Sequence, residues 1–343
     1  MQLSDYDRGF RFKKDILSVS ALLSRFSEGG IYLYPDHIYS KEWHRRSKSA
    51  FIESLLLGMP TTEIWCEEDN YGGVSVLDGT QRIQAILDFC HNNFELSELK
   101  LIPELSGCRY SDLPYQHTFA LLNRTDIYFT TISYDTHAAL KFEFFKRINS
   151  DSYRFPVQAA RNFAFRDHFS FIKYTQKTCE WYLTTDDETY TFSTKKDYRD
   201  AASFDELFLL MAAVTLTYHS ELSTKSDSIS DFLDEAAMRI HFGYFRDLDL
   251  SSEIEKTIEN ICESLESKIQ YNPRKSLSSM RRPRHHYNDD RLMLTSSQII
   301  ELFIPILKHG PLHKKHTDDI LAHPQSLSPL RTTSSIYRKL FSQ

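Results

Sequence analysis

The sequence predicts an α+β protein in two parts: a small mixed sheet flanked by helices over residues 1–165, and an all-α region over residues 166–343. Strand and helix patterns alternate through the N-terminal half, and strand signals fade beyond about residue 166. Only 10 glycines against 24 phenylalanines suit a helix-rich interior filled by aromatic rings. A length of 343 residues accommodates two ordinary domains, each with a sizeable core.

Taken in order, the first thirty or so residues carry a mixed helical pattern. Ile31 to Tyr34 reads as a short strand closed by Pro35-Asp36. Ser47 to Gly58 reads as a helix with Phe51, Ile52, Leu55 and Leu56 on one face and Gly58 as its stop before Pro60. Glu63 to Cys66 and Val74 to Leu77 form a hairpin pattern around the acidic loop Glu67 to Gly73. The turn Asp78-Gly79-Thr80-Gln81-Arg82 follows directly. It opens a helix in which Ile83, Ile86, Leu87 and Cys90 recur at i, i+3, i+4 and i+7, the stripe of a buried face.

Ile127 to Ser133 is β-rich, and Thr136 to Arg147 reads as a helix ending at Ile148-Asn149-Ser150. Pro156 suits the first turn of a helix through Ala160 and Ala164. Further on, Phe204 to Tyr218, Ile229 to Ile240, Ser252 to Tyr271 and Ser296 to Lys308 all carry helical patterns. Between the last two lies Asn272 to Asp290, rich in serine, proline and basic residues, which reads as a mobile loop.

A net charge of −6 gives the chain no global attraction for nucleic acid or an anionic membrane, so any DNA contact must be local. The basic stretch 274–286, with Arg274, Lys275, Arg281, Arg282, Arg284, His285 and His286, is the candidate for DNA; a solvated loop is the alternative. Five cysteines, Cys66, Cys90, Cys108, Cys179 and Cys262, lie far apart without C-x-x-C spacing. That spacing argues against a zinc knuckle and a disulfide framework and for buried thiols in a reducing compartment. No apolar run approaches the length of a membrane span and the N-terminus lacks a signal-peptide core, so the expectation is a cytoplasmic protein without membrane contact. His309, His313 and His316 have helical metal-ligand spacing, but Gly310 and Pro311 interrupt it, and no metal site is expected there. His285-His286 and His323-Pro324-Gln325 lack the second ligand pair of an HNH nuclease, so any nuclease activity has to come from a partner chain or from the site in the N-terminal half itself.

The Asp78–Arg82 turn is where chemistry is most legible. A strand-to-helix turn presents unpaired backbone N–H groups and the positive end of the helix dipole, a natural phosphate site. Gly79 lets the backbone approach closely, and Arg82 can clamp an oxyanion through two parallel hydrogen bonds. The alternative is a plain Asp-Gly bend with a surface arginine. Asp78 suits metal or water activation, or simply caps the helix; Gln81 orients a water or faces solvent.

Three stretches, in order, resemble the GmrSD N-terminal domain family, the ParB/sulfiredoxin-like domains marked by a DGQQR motif. Phe51-Ile52-Glu53-Ser54-Leu55-Leu56-Leu57-Gly58-Met59-Pro60 is similar to that family's LIESLLLGIP. Asp78-Gly79-Thr80-Gln81-Arg82 matches DGQQR with one substitution, and Phe145-Lys146-Arg147-Ile148-Asn149-Ser150 resembles F-x-R-I-N-S, followed by Gln158 and Arg161-Asn162. A weaker similarity runs through Asp205-Glu206-Leu207-Phe208-Leu209-Leu210 and Phe232-Leu233-Asp234-Glu235, so the resemblance covers roughly residues 30 to 240.

The resemblance implies nucleotide binding, and often nucleoside triphosphate hydrolysis with Mg2+, in bacterial restriction and anti-phage systems. It implies that Gly79, Thr80, Arg82, Arg147, Asn149, Trp43 and Lys48 hold the nucleotide and that Asp78, Gln81 and Arg82 carry catalysis. It also implies a nuclease or other effector as partner. The family's P-x-Y-Q-R-x-x-x-W segment stands here as Pro35 to Trp43, with Ile38-Tyr39 in place of Gln-Arg, and Thr80 replaces a glutamine. Loss of that arginine removes a fixed charge for a transferred phosphate, which weighs against hydrolysis more than against binding. The competing expectation is a non-catalytic sensor or scaffold with a degenerate pocket. DNA nicking, a third, lacks a tight acidic cluster.

Overall fold

The computed structural model describes residues 9–33, 43–148, 157–185, 198–223, 228–244, 248–271, 291–294, 296–322, 336 and 340–341. Pro35-Asp36, Ile38-Tyr39, Asn149, Pro156, the basic stretch 274–286 and His323-Pro324-Gln325 lie outside them. The chain divides into two units, Met1–Lys141 and Phe142–Gln343, the division falling within a helix.

The first unit runs β1 (Phe12–Ser18), α1 (Val19–Ser27), β2 (Ile31–Leu33), α2 (Arg45–Leu56), β3 (Ile64–Glu68), β4 (Val74–Asp78), α3 (Thr80–Cys90), α4 (Tyr115–Asn123), β5 (Asp126–Ile132) and the start of α5 (Ala138–Ile148). Its sheet is five-stranded in the order β1-β5-β3-β4-β2. β1 with β5 and β3 with β4 are antiparallel, while β5 with β3 and β4 with β2 are parallel, which makes the sheet mixed. Alternate strand residues Leu17, Ile31, Ile64, Cys66, Val76, Ile127 and Phe129 join Leu22, Ile52, Leu55, Ile83, Ile86 and Leu121 from α1–α4 in one core. Each such side chain contributes about 1.5–3 kcal/mol by leaving water.

The helical expectation for the first thirty residues is corrected at β1. Phe12–Ser18 pairs residue by residue with Asp126–Ile132, a partner more than a hundred positions away. Local composition does not encode that partner, and the pairing overrides it. Helix begins only at Val19, where the Ser18 hydroxyl accepts from Ala21 N at 3.2 Å.

The second unit contains the rest of α5, α6 (Val157–Ala164), α7 (Arg166–Thr178), β6 (Leu183–Thr185), α8 (Tyr198–Tyr218), α9 (Ile229–Phe242), α10 (Leu250–Leu265), β7 (Lys268–Tyr271), β8 (Arg291–Leu294), α11 (Ser296–His309) and α12 (Lys314–Ala322). It is not all-α: β6, β7 and β8 form a parallel three-stranded sheet. The helix expected over Ser252 to Tyr271 therefore stops early. Glu266 turns left-handed at φ 53°, its N–H returning to Cys262 and Glu263 carbonyls, and Lys268–Tyr271 pairs with β6 and β8. Again the override is a pairing with residues distant in sequence.

Candidate functional site

The site begins with the β3–β4 hairpin. Asp69 builds its turn, with Oδ1 accepting from Tyr71 N at 2.7 Å and Gly73 N at 2.8 Å. Cys66 pairs with Val76, but Trp65 pairs with Asp78, so a bulge shifts the register just before the strand ends. A bulge at this place re-aims the last residue, Asp78, before the chain turns into α3.

Gly79 then takes φ 101°, ψ 7° as the residue preceding α3. A Cβ at Gly79 would lie 2.4 Å from Ile64 Cδ1, so both the dihedral and the space call for glycine. Gly79 O accepts from Ile83 N at 3.0 Å, the first turn of the helix. The N-terminus of α3 has no side-chain cap, and the buried Thr80 hydroxyl has no hydrogen-bond partner among the described residues. A first-turn set of backbone donors next to an unmatched buried hydroxyl is an arrangement suited to an oxyanion.

Arg82 is turned inward. Its Nη1 donates to Thr62 O at 2.5 Å, to Thr62 Oγ1 and to Glu63 O at 3.1 Å, while Nη2 donates to Asp78 Oδ2 at 2.7 Å. Only 12% of its side chain is exposed, against 48% for Asp78. Burial lowers the guanidinium pKa from its ordinary value, and the Asp78 charge opposes that shift. Thus the arginine expected to clamp a ligand ties α3 to the chain leading into β3, and Asp78 presents the accessible charge.

Gln81 Oε1 accepts from the backbone N of Trp43 at 2.8 Å, and the Trp43 ring meets Phe51 edge-on at 5.7 Å. Gln81 is thereby a tether for the approach to α2. Lys48, expected to hold the nucleotide, is buried; Nζ donates to Asp88 Oδ2 at 2.6 Å, and Gln84 Nε2 to Asp88 Oδ1 at 2.7 Å. That triad joins α2 to α3 behind the turn. Arg147 belongs to the second unit, where its side chain is 79% exposed beside Glu143, 3.6 Å away.

A second polar cluster gathers residues that the sequence singled out. Arg161, 1% exposed, donates through Nε to Asp234 Oδ1 at 2.7 Å, through Nη1 to Gln158 Oε1 at 3.1 Å and Glu206 Oε2 at 3.3 Å, and through Nη2 to Ser230 O at 3.2 Å. Asn162 Nδ2 donates to Asp205 Oδ2 at 2.8 Å, and the other Asp205 oxygen accepts from Lys173 at 2.6 Å and Gln176 at 2.8 Å. With its donors and acceptors matched inside the fold, this network holds α6, α7, α8 and α9 in register.

Three participants, Thr62, Trp65 and Lys141, escaped the sequence reading. Thr62 works chiefly through its backbone carbonyl, which no motif encodes; Trp65 faces Asp78 only because of the bulge. Lys141 and Glu67 form a buried ion pair, with Lys141 Nζ also donating to Tyr134 O at 3.0 Å. Glu67, expected in the acidic hairpin loop, lies instead on β3, where it pairs with Ser75 of β4 and Ile132 of β5. Among the described residues, no helix is long and apolar enough to cross a membrane, and no three His, Cys, Asp or Glu side chains group as a metal site.

Set against known proteins, the chain matches no family model, no curated protein and no solved structure. The class defined by fold and site is therefore an α+β protein with a small mixed sheet and an uncapped strand-to-helix turn.

Proposed function

We propose that this chain is a nucleotide-binding component of a prokaryotic anti-phage defence or restriction system, of the GmrSD N-terminal, ParB/sulfiredoxin-like type, with its phosphate site at the Asp78–Arg82 turn. The observation that carries this reading is the partnerless buried hydroxyl of Thr80 at the uncapped start of α3. In it, the first-turn amides and Thr80 receive phosphate oxygens, Gly79 allows the close approach, and Arg82 fixes the turn from behind. Asp78 is the group open to a phosphate-bound Mg2+. DNA, through the 274–286 stretch, and an effector nuclease are the partners this reading assigns.

A second reading, a non-catalytic sensor or scaffold, is favoured by the engagement of Arg82. A guanidinium already donating to Thr62, Glu63 and Asp78 has little left for charge that develops during phosphoryl transfer.

Calorimetric titration of the full chain with ATP, GTP and CTP, with and without Mg2+, tests binding, and phosphate release tests turnover. Thr80→Val should weaken binding by about tenfold, the worth of one hydrogen bond to a charged acceptor. Binding without turnover selects the sensor. Unaltered affinity in the Val variant would remove the turn from the site.

A further inference from the structure

We propose that α7 is an acid-sensitive anchor of the second unit, held in place by a neutral His168 ring and released when that ring takes up a proton. His168 lies in the first turn of α7 and is fully buried, yet neither ring nitrogen has a hydrogen-bond partner among the described residues. A buried imidazole without an acceptor has no group to share an added proton with.

Its neighbours oppose the proton as well. From α6 comes Arg161 and from α9 comes His241, both placed to repel a charged ring, while the Phe165 backbone acts the other way without reaching hydrogen-bonding geometry. Four carboxylates of the surrounding helices are engaged elsewhere. Asp234 of α9 is held by Arg161 and Lys146, and Glu206 of α8 by Arg161. Asp205 of α8 is held by Asn162, Lys173 and Gln176, and Asp167 of α7 by His241 at 3.1 Å. From α10, the Ser251 hydroxyl meets that of Thr175 in α7 at 3.1 Å.

Burial first, and then the Arg161 charge, bring the ring pKa down from 6.5 to about 3. The sign follows directly. With the folded pKa below the open-state value, the open state alone binds the proton between those two pH values, and closure weakens as pH falls below 6.5. The closing equilibrium loses about tenfold per pH unit, or roughly 25-fold between pH 7 and pH 5.

Hydrogen exchange of the full chain, corrected for the pH dependence of intrinsic exchange, tests this. Protection of α7 amides should fall about 25-fold from pH 7 to pH 5 while α3 amides hold, and in His168→Phe the α7 fall should vanish. An equal fall in the Phe variant overturns the proposal. If that variant does not fold, the His168 ring signal in the native chain decides. It should titrate only together with loss of α7 protection, and titration near pH 6.5 with α7 still protected overturns the proposal equally.

Discussion

Asp78 Oδ2 and Arg82 Nη2 meet at 2.7 Å across the turn into α3, but the two residues hold unequal positions: the arginine is enclosed and the aspartate half open. The pair accordingly separates fold from chemistry. Arg82→Ala strips donors from the carbonyls of Thr62 and Glu63 and should cost about 2–4 kcal/mol. Asp78→Asn keeps an oxygen able to accept from Nη2 and leaves the Thr62 and Glu63 carbonyls engaged, so it should cost less, about 1 kcal/mol. Urea unfolding of both variants checks this; similar small losses would show that the guanidinium does not hold the turn.

Gly79 offers a steric test of the same turn. Gly79→Ala has to adopt φ 101° and place its Cβ 2.4 Å from Ile64 Cδ1, so a loss of about 2–3 kcal/mol is expected. Shortening the obstacle with Ile64→Val removes that Cδ1. The double variant should therefore be less damaged than the sum of the singles by about 1 kcal/mol, measured as the coupling in a thermal or urea double-mutant cycle. Strict additivity would mean that the backbone conformation alone selects glycine here.

How much of this was legible in the sequence depends on whether the signal was local. The stripe Ile83, Ile86 and Leu87 and the turn into α3 rest on periodicity and turn chemistry within a few residues and stand where the sequence put them, as does the β3–β4 hairpin, although β3 runs on through Glu67 and Glu68, which the sequence put in the loop. What could not be read depends on partners far along the chain. β1 needs β5, β7 needs β6 and β8, and Arg161 finds Glu206 and Asp234 on helices 45 and 73 positions away. The same limit governed the site. Arg82 was recognisable as a residue of consequence, but its inward direction is set by carbonyls of Thr62 and Glu63, which every residue type possesses.

Lys141 and Glu67 are almost fully buried against each other, and the glutamate lies on a central strand. Removing one charge strands the other, so Lys141→Met should destabilise the first unit by about 3–5 kcal/mol. Lys141→Met combined with Glu67→Leu restores a neutral interior and should recover most of that loss. Denaturant titration of the three variants checks it, and a double variant as weak as the single would mean that the pair, once formed, outweighs its desolvation.

The thiols report on how tightly both units are closed. Cys66, Cys179 and Cys262 are buried and Cys90 and Cys108 half-buried, and all five are free. Burial pushes Cys90, Cys179 and Cys262 up to about 12 and raises Cys66 as well. A thiol reacts as its thiolate, so at pH 8 those four are suppressed by both access and ionisation. In the native chain those four should consequently react with an aromatic disulfide reagent at least a hundredfold more slowly than in denaturant. Raising the pH from 8 to 9 should speed each slow thiol about tenfold, since each remains far below its pKa and the thiolate fraction grows in proportion. A fast thiol among those four in the native chain would locate an opening: at α3 if it is Cys90, or at the α7–α10 packing if it is Cys179 or Cys262.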